Sequence, residues 1–358
     1  MKNIKRIIAI ALVLIVALSI TACHKKDEIA VSVKDVDFTS AYYMCALINA
    51  DSEAKSKVQE ELTEEESKQT EIDYFSKKID GKKYETWVKD RAIESLKEIA
   101  AYQLLCKENK VELDKEAISN AETYASYYWS SYGYSMYYEP NGVSQNTYTK
   151  YMTDSYYAES YFEHIYGKDG EKEIPADDVK KEIYKNYIIA NVIDASFTSE
   201  TKDTEKKEIK AKLDSYITAL KEGKKTFEQV YMDYNNLKAE DHKHEENKDG
   251  PKDEHAQILG AEGTSYADEH YDTVKKMKNG EVKLIKLDND GGYKLVVKKD
   301  IKADKYYLEN LDSVARHSLK DEEFEKTIKE YVKGLEPEIN KYAVNQFKVK
   351  KIKEPEYQ

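Results

Sequence analysis

Ile188-Ile189-Ala190-Asn191-Val192-Ile193-Asp194-Ala195-Ser196-Phe197 opens the stretch that decides the fold, which runs to Ala303. Its β-branched run predicts a short strand. Ile209, Leu213, Tyr216, Ile217 and Leu220 then recur at three- and four-residue steps, the mark of a helix, which stops at Lys221-Glu222-Gly223. Thr226 is placed to cap a second short helix carrying Phe227, Val230, Tyr231 and Tyr234. Beyond a long polar loop come the apolar run Ile258-Leu259-Gly260 and a helix around Tyr271, Val274 and Met277. The last pieces are two strands, Glu281–Leu287 and Tyr293–Lys299, joined as a hairpin by Asp288-Asn289-Asp290-Gly291-Gly292.

This order resembles a parvulin, the peptidyl-prolyl isomerase domain. The matching words are Leu220-Lys221-Glu222-Gly223 before Phe227, and Met277-Lys278-Asn279-Gly280-Glu281-Val282 before Gly292-Tyr293-Lys294-Leu295-Val296-Val297. The resemblance covers about a third of the chain and implies an antiparallel sheet flanked by helices. It also implies site positions that this sequence has changed. The family histidine of the first strand falls near Asp194 or Ala195, and that of the last strand is Lys294. The family Cys or Asp after the second helix falls near Leu237, and the Met and Phe of the proline pocket fall near Tyr266 and Tyr271. Prolyl isomerisation crosses a barrier of about 20 kcal/mol. Without either histidine, the expectation is a parvulin shell that is weak or inactive, with no catalytic residue assigned. The alternative is a working isomerase using substituted pocket residues such as Tyr271 and Tyr293.

Upstream, residues 1–22 read as a secretory leader: Lys2, Lys5 and Arg6, the apolar run Ile7 to Ile20, then small residues before Cys23. A Cys at that point looks like a bacterial lipobox, which implies cleavage before Cys23 and a lipid on its thiol. The expected location is the extracytoplasmic face of a bacterial membrane, with residues 23–28 as a tether. Losing the leader takes the net charge from −12 to −15. So acidic a body excludes nucleic acid as a partner and disfavours lying flat on an anionic bilayer.

Residues 29–187 read as a mainly helical N-terminal region. Ile29–Phe38 alternates as a short strand, Ser40 to Ala50 is an apolar helix, and Glu85 to Lys110 carries the stripe Val88, Ala92, Leu96, Ile99 and Leu104. Val111-Glu112-Leu113-Asp114-Lys115-Glu116 and Glu173-Ile174-Pro175-Ala176-Asp177-Asp178-Val179 resemble the helix starts of the chaperone region in foldases of the PrsA and SurA type. Residues 304–358 supply returning elements: a helix over Lys302 to Gly334, a shorter one from Pro337 through Ile339 and Val344, and a terminal strand, Phe347–Ile352. The fold class is therefore α+β, a helical module built from both chain ends with residues 188–303 inserted as the small parvulin-like domain.

Thirteen Tyr, with Trp129 and Phe162, crowd the 43 residues from Tyr124 to Tyr166. Rings such as Tyr127, Tyr128 and Trp129 suit adaptable binding of peptide segments at low entropic cost. A helix pair with its rings packed and hydroxyls in water accounts for the composition equally well, and a carbohydrate-stacking platform is a further reading. Cys45 and Cys106 read as two buried free thiols before a disulfide. His242, His244 and His255 stand among carboxylates, but the segment reads as a surface insertion rather than a metal site. No metal or cofactor is expected, and no hydrolase, kinase or metalloprotease motif occurs. The resemblance implies unfolded or partly folded exported polypeptides as partners. A solute- or glycan-binding lipoprotein is the alternative from another class, although its paired βαβ lobes are not evident.

Overall fold

The computed structural model describes residues 27–63, 65–66, 68, 72–238 and 255–355. Cys23, the leader, and the loop histidines His242 and His244 lie outside the described residues. Two compact units emerge. The first takes the chain up to residue 165, with 169–171 and 323 onwards, and the second takes 166–168 and 172–322.

In the first unit, the run expected as one strand is a hairpin, β1 (Ile29–Val33) and β2 (Val36–Thr39), turned at Lys34 with φ 53°. Thr39 then caps α1 (Ser40–Glu60), its hydroxyl accepting from Tyr42 N. This helix runs a full ten residues past Ala50. Ala54 and Val58 extend its buried stripe through the charged stretch, and buried Asp51 is held by Tyr84 and Lys55. A two-residue hairpin, β3 (Lys78–Ile79) and β4 (Lys82–Lys83), leads into α2 (Tyr84–Glu108). Asp114 caps α3 (Lys115–Ser131), Gly133 turns the chain at φ 71°, and the short α4 (Tyr134–Tyr138) follows. α5 (Gln145–Asp154), capped by Ser144, and α6 (Tyr156–Tyr166) complete this part. Cys45 and Cys106 are both buried and free.

The second unit begins with α7 (Ala176–Asn186), which runs straight into β5 (Tyr187–Ser196). α8 (Asp203–Lys221) and α9 (Phe227–Asn235) follow, the latter started by a reciprocal cap between Thr226 and Gln229. Next come β6 (Ala256–Gly260), α10 (Tyr271–Lys275), β7 (Val282–Lys286) and β8 (Gly292–Lys298). The four strands form one antiparallel sheet in the order β6-β5-β8-β7. Successive side chains of a strand point to opposite faces, so the sheet has two cores. Ile188, Ala190, Val192 and Val296 pack with Tyr271, Val274 and Met277. Ile193, Ala195 and Leu295 pack with Leu213, Phe227 and Val230 from α8 and α9.

Where one long helix from Lys302 was expected, the chain forms α11 (Lys305–Asn310), capped by Asp304, and α12 (Asp312–Lys333). In the first unit Phe324 meets Phe162 edge-on at 5.2 Å and stacks with Tyr102 at 6.1 Å. Pro337 does not restart a helix. It opens β9 (Pro337–Ile339), which pairs with β1 through Val33↔Pro337 and Val31↔Ile339 and so ties the two chain ends into one sheet, β2-β1-β9. The edge of β1 needs hydrogen-bond partners, and that requirement overrides the local helical pattern. Only at Asn340 does a helix begin, α13 (Lys341–Asn345). Nor is Phe347–Ile352 a strand. Both sides of β1 are already paired, and the segment makes a 3₁₀ turn at Val349–Lys351. Beyond it the side chain of Asn141 both accepts from Lys353 N and donates to Lys353 O.

The fold is α+β, a helical module drawn from both chain ends and a small antiparallel sheet packed with helices.

Candidate functional site

Two places could act on a ligand, one in each unit. In the second unit the antiparallel register brings Asp194 and Lys294 directly opposite one another. Both share the strand parity of Val192 and Val296, hence the face toward α10. Lys294 Nζ lies 3.7 Å from Asp194 Oδ1 and 3.2 Å from Asp268 Oδ2. The ammonium is 13% exposed and Asp194 is 47% exposed. Asp268, in the turn before α10, also accepts from His270 N. Sequence reasoning missed Asp268; the only local signal was the polar run Asp268-Glu269-His270 ahead of an apolar helix.

An ammonium answered by two carboxylates is electrostatically closed. It can donate hydrogen bonds but not accept them, unlike a neutral imidazole. Beside it, the His270 imidazole, two residues on from Asp268, is buried. Leu237 follows the left-handed cap Asn236 of α9 and is exposed and apolar. Tyr271 is a core residue, its hydroxyl donating to Lys185 O at 2.6 Å and accepting from Lys275 Nζ at 2.7 Å. Tyr293 packs edge-on against Phe197 at 5.8 Å in the core of the opposite face. The structure therefore does not bring Tyr271 and Tyr293 together, because residues 293 and 294 of a strand must point to opposite sides of the sheet. Tyr266 is the exposed ring here and touches Tyr187 edge-on at 6.1 Å. His255 is buried against Tyr231, ring centroids 4.1 Å apart, and contacts the Glu228 carboxylate. Among the described residues no three His, Cys, Asp or Glu side chains cluster as metal ligands would.

In the first unit the Tyr-rich segment divides into packed and open rings. Trp129, Tyr138 and Tyr148 are buried and form a stack, with Tyr138 and Tyr148 centroids 4.9 Å apart. Burial pushes the phenol of each of these two Tyr well above its ordinary range. Ring contacts lead outward from that stack through Tyr134, 5.9 Å from Tyr148, to Tyr128, and from Tyr128 to Tyr132 and Tyr127. The outer rings are open: Tyr124 is 55% exposed, Tyr127 52%, Tyr132 63% and Tyr134 40%. Met136 is exposed beside them. A cleft of about 520 Å³ opens among Tyr128, Tyr134, Tyr137, Tyr151, Asn49 and Met152. Of the rings singled out in the sequence, Trp129 is thus core, Tyr128 is half-buried and Tyr127 is surface. Tyr134 is anchored against that buried stack at one edge and open at the other, so its apolar area needs little further ordering to bind.

No protein-family model matches the chain, and no curated protein does. Among solved structures it is similar to the foldase protein PrsA of Lactococcus lactis, at 16% identity and a TM-score of 0.38, over 88% of this chain and 96% of that one. PrsA of Bacillus subtilis matches at 16% identity and a TM-score of 0.34, over 70% of this chain and 86% of that one. The peptidylprolyl isomerase PrsA of Bacillus anthracis matches at 17% and 0.24, over 67% and 96%. These three are PrsA structures, and at TM-scores below 0.5 the function of this chain is read from its own residues.

Proposed function

We propose that the protein is a chaperone for non-native exported polypeptides, held on the outer face of a bacterial membrane by a lipid on Cys23. In this reading the second unit adds surface rather than prolyl isomerase activity. The observation that carries it is the open Tyr surface of α3 and α4: four rings exposed by 40% or more, backed by a buried aromatic stack. Contiguous apolar surface on a soluble body is a sign of binding. The leader ending at Cys23 supports export and anchoring. Lys294, balanced by Asp194 and Asp268, supports the loss of isomerase chemistry.

Two assays on the purified body test this. It should suppress aggregation of a chemically unfolded client at near-stoichiometric ratio. It should leave the rate of a proline-limited refolding reaction unchanged at catalytic concentration. Acceleration of refolding would overturn the inactive centre, and unaltered aggregation would overturn the chaperone. Anchoring is read separately: Cys23→Ser should release the protein from the membrane fraction.

A further inference from the structure

From residue 116 to residue 149 the sequence contains eight Tyr and three Glu, and no Lys, Arg or His. Elsewhere in the same unit the chain covers aromatic faces with its own ammonium groups. Lys34 lies 5.3 Å from the Tyr331 centroid, Lys150 5.4 Å from Tyr42, Lys57 5.9 Å from Trp87 and Lys55 6.0 Å from Tyr74. Among the described residues, no such cation sits over Tyr124, Tyr127, Tyr132 or Tyr134. The outward face of α3 continues this surface as a groove of about 540 Å³ lined by Ser119, Glu122, Thr123, Ser126, Tyr127 and Ser130. Glu122 is its only charge.

We propose that this face binds extended client segments that carry Arg or Lys, the cationic side chain lying over the open Tyr rings and its charge answered by Glu122. The inference rests on the chaperone reading and adds the class of segment selected. An open ring face attracts a cation through its quadrupole, and each such contact is worth about 0.5–1 kcal/mol at an exposed site. An acidic chain raises the local concentration of cationic segments and repels acidic ones. Neutral apolar segments would still bind through ring area, but more weakly.

The test uses the full mature chain and labelled unstructured peptides of matched length and apolar content, with Arg, Gln or Glu at the same positions. Fluorescence anisotropy should give a Kd for the Arg peptide roughly tenfold below that of the Gln peptide, as two cation–ring contacts supply. The Glu peptide should be weakest. Tyr127→Leu/Tyr132→Leu keeps apolar area but removes the quadrupoles, and both sites are exposed, so the fold should survive, as circular dichroism would verify. That variant should lose the Arg preference, its Arg-peptide and Gln-peptide Kd values falling within about twofold of each other. Glu122→Gln should lower the preference and flatten its salt dependence. Equal affinity for Arg and Gln peptides would overturn the selection and leave the chaperone standing. An Arg preference unchanged in the double Leu variant would overturn the assignment of this face. Failure to bind any of the peptides, together with unaltered client aggregation, would end both readings.

Discussion

Asp194 and Lys294 are paired residues on neighbouring antiparallel strands, and Lys294 also reaches Asp268, so one largely buried ammonium bridges two carboxylates. Removing the cation leaves two carboxylates facing each other, one of them mostly shielded. Lys294→Met should therefore cost about 1–2 kcal/mol of stability, below the figure for a fully buried pair because Asp194 is half open to water. Asp194→Asn should cost less than about 0.5 kcal/mol, since Asp268 continues to answer Lys294. Denaturant unfolding reads both, and equal costs would refute the bridging role.

Gly292 begins β8 at φ +125°, where an added Cβ would fall 2.1 Å from Ala195 O. Backbone cannot yield as a flexible side chain can. Gly292→Ala should destabilise the sheet by about 3 kcal/mol or more. Gly280 also has positive φ, +80°, but open space where the Cβ would go, so Gly280→Ala should cost only about 1–2 kcal/mol. Hydrogen exchange at β5 and β8 separates the two, with greater deprotection expected for Gly292→Ala.

Tyr42 and Tyr43 are neighbours in α1 with opposite polar fates. The Tyr42 hydroxyl donates to Asp154 Oδ2 at 2.8 Å in a buried site. The buried Tyr43 hydroxyl meets no hydrogen-bond partner among the described residues. Tyr42→Phe should cost about 1.5–3 kcal/mol, because it strips a bond from a buried carboxylate. Tyr43→Phe should be neutral or stabilise by up to about 1 kcal/mol, because the unmet hydroxyl pays desolvation without return. Thermal unfolding of the two single variants provides the comparison, and a Tyr43→Phe as damaging as Tyr42→Phe would contradict it.

Alkaline pH should unfold the first unit. Burial pushes the phenols of Tyr42, Tyr138 and Tyr148 and the Cys45 thiol far up, and that of Cys106 up to about 11. The unfolded chain ionises Cys near about 8.5 and Tyr near about 10. A folded pKa above the unfolded one means that the folded state holds more protons in this window, so stability is complete below the unfolded values and falls as pH rises past them. Unfolding free energy should be flat from pH 7 to about 8.5 and decline steadily beyond. Tyr148→Phe should make the decline shallower above pH 10, read by denaturant titration across the series. A plateau extending to pH 11 would sink the linkage.

The local elements of the second unit are legible in the residues that form them. β-Prone runs marked β5 and β8, Thr226 marked the start of α9, and Asp288 to Gly292 marked the hairpin, because each depends on residues within one turn or one strand of itself. The composition also set the acidity of the chain and the surplus of Tyr. Tertiary structure alone decided that Pro337–Ile339 pairs with β1 instead of continuing as helix, since the demand comes from a backbone edge some three hundred residues away. It alone decided that Asp268 closes the circuit around Lys294, that Tyr271 and Tyr293 fall on opposite faces, and that Tyr138 and Tyr148 are core while Tyr127 and Tyr132 are surface. Periodicity states which side of an element is apolar. Which neighbour covers that side, and which rings are left uncovered, is settled by contacts between segments that the linear order keeps apart.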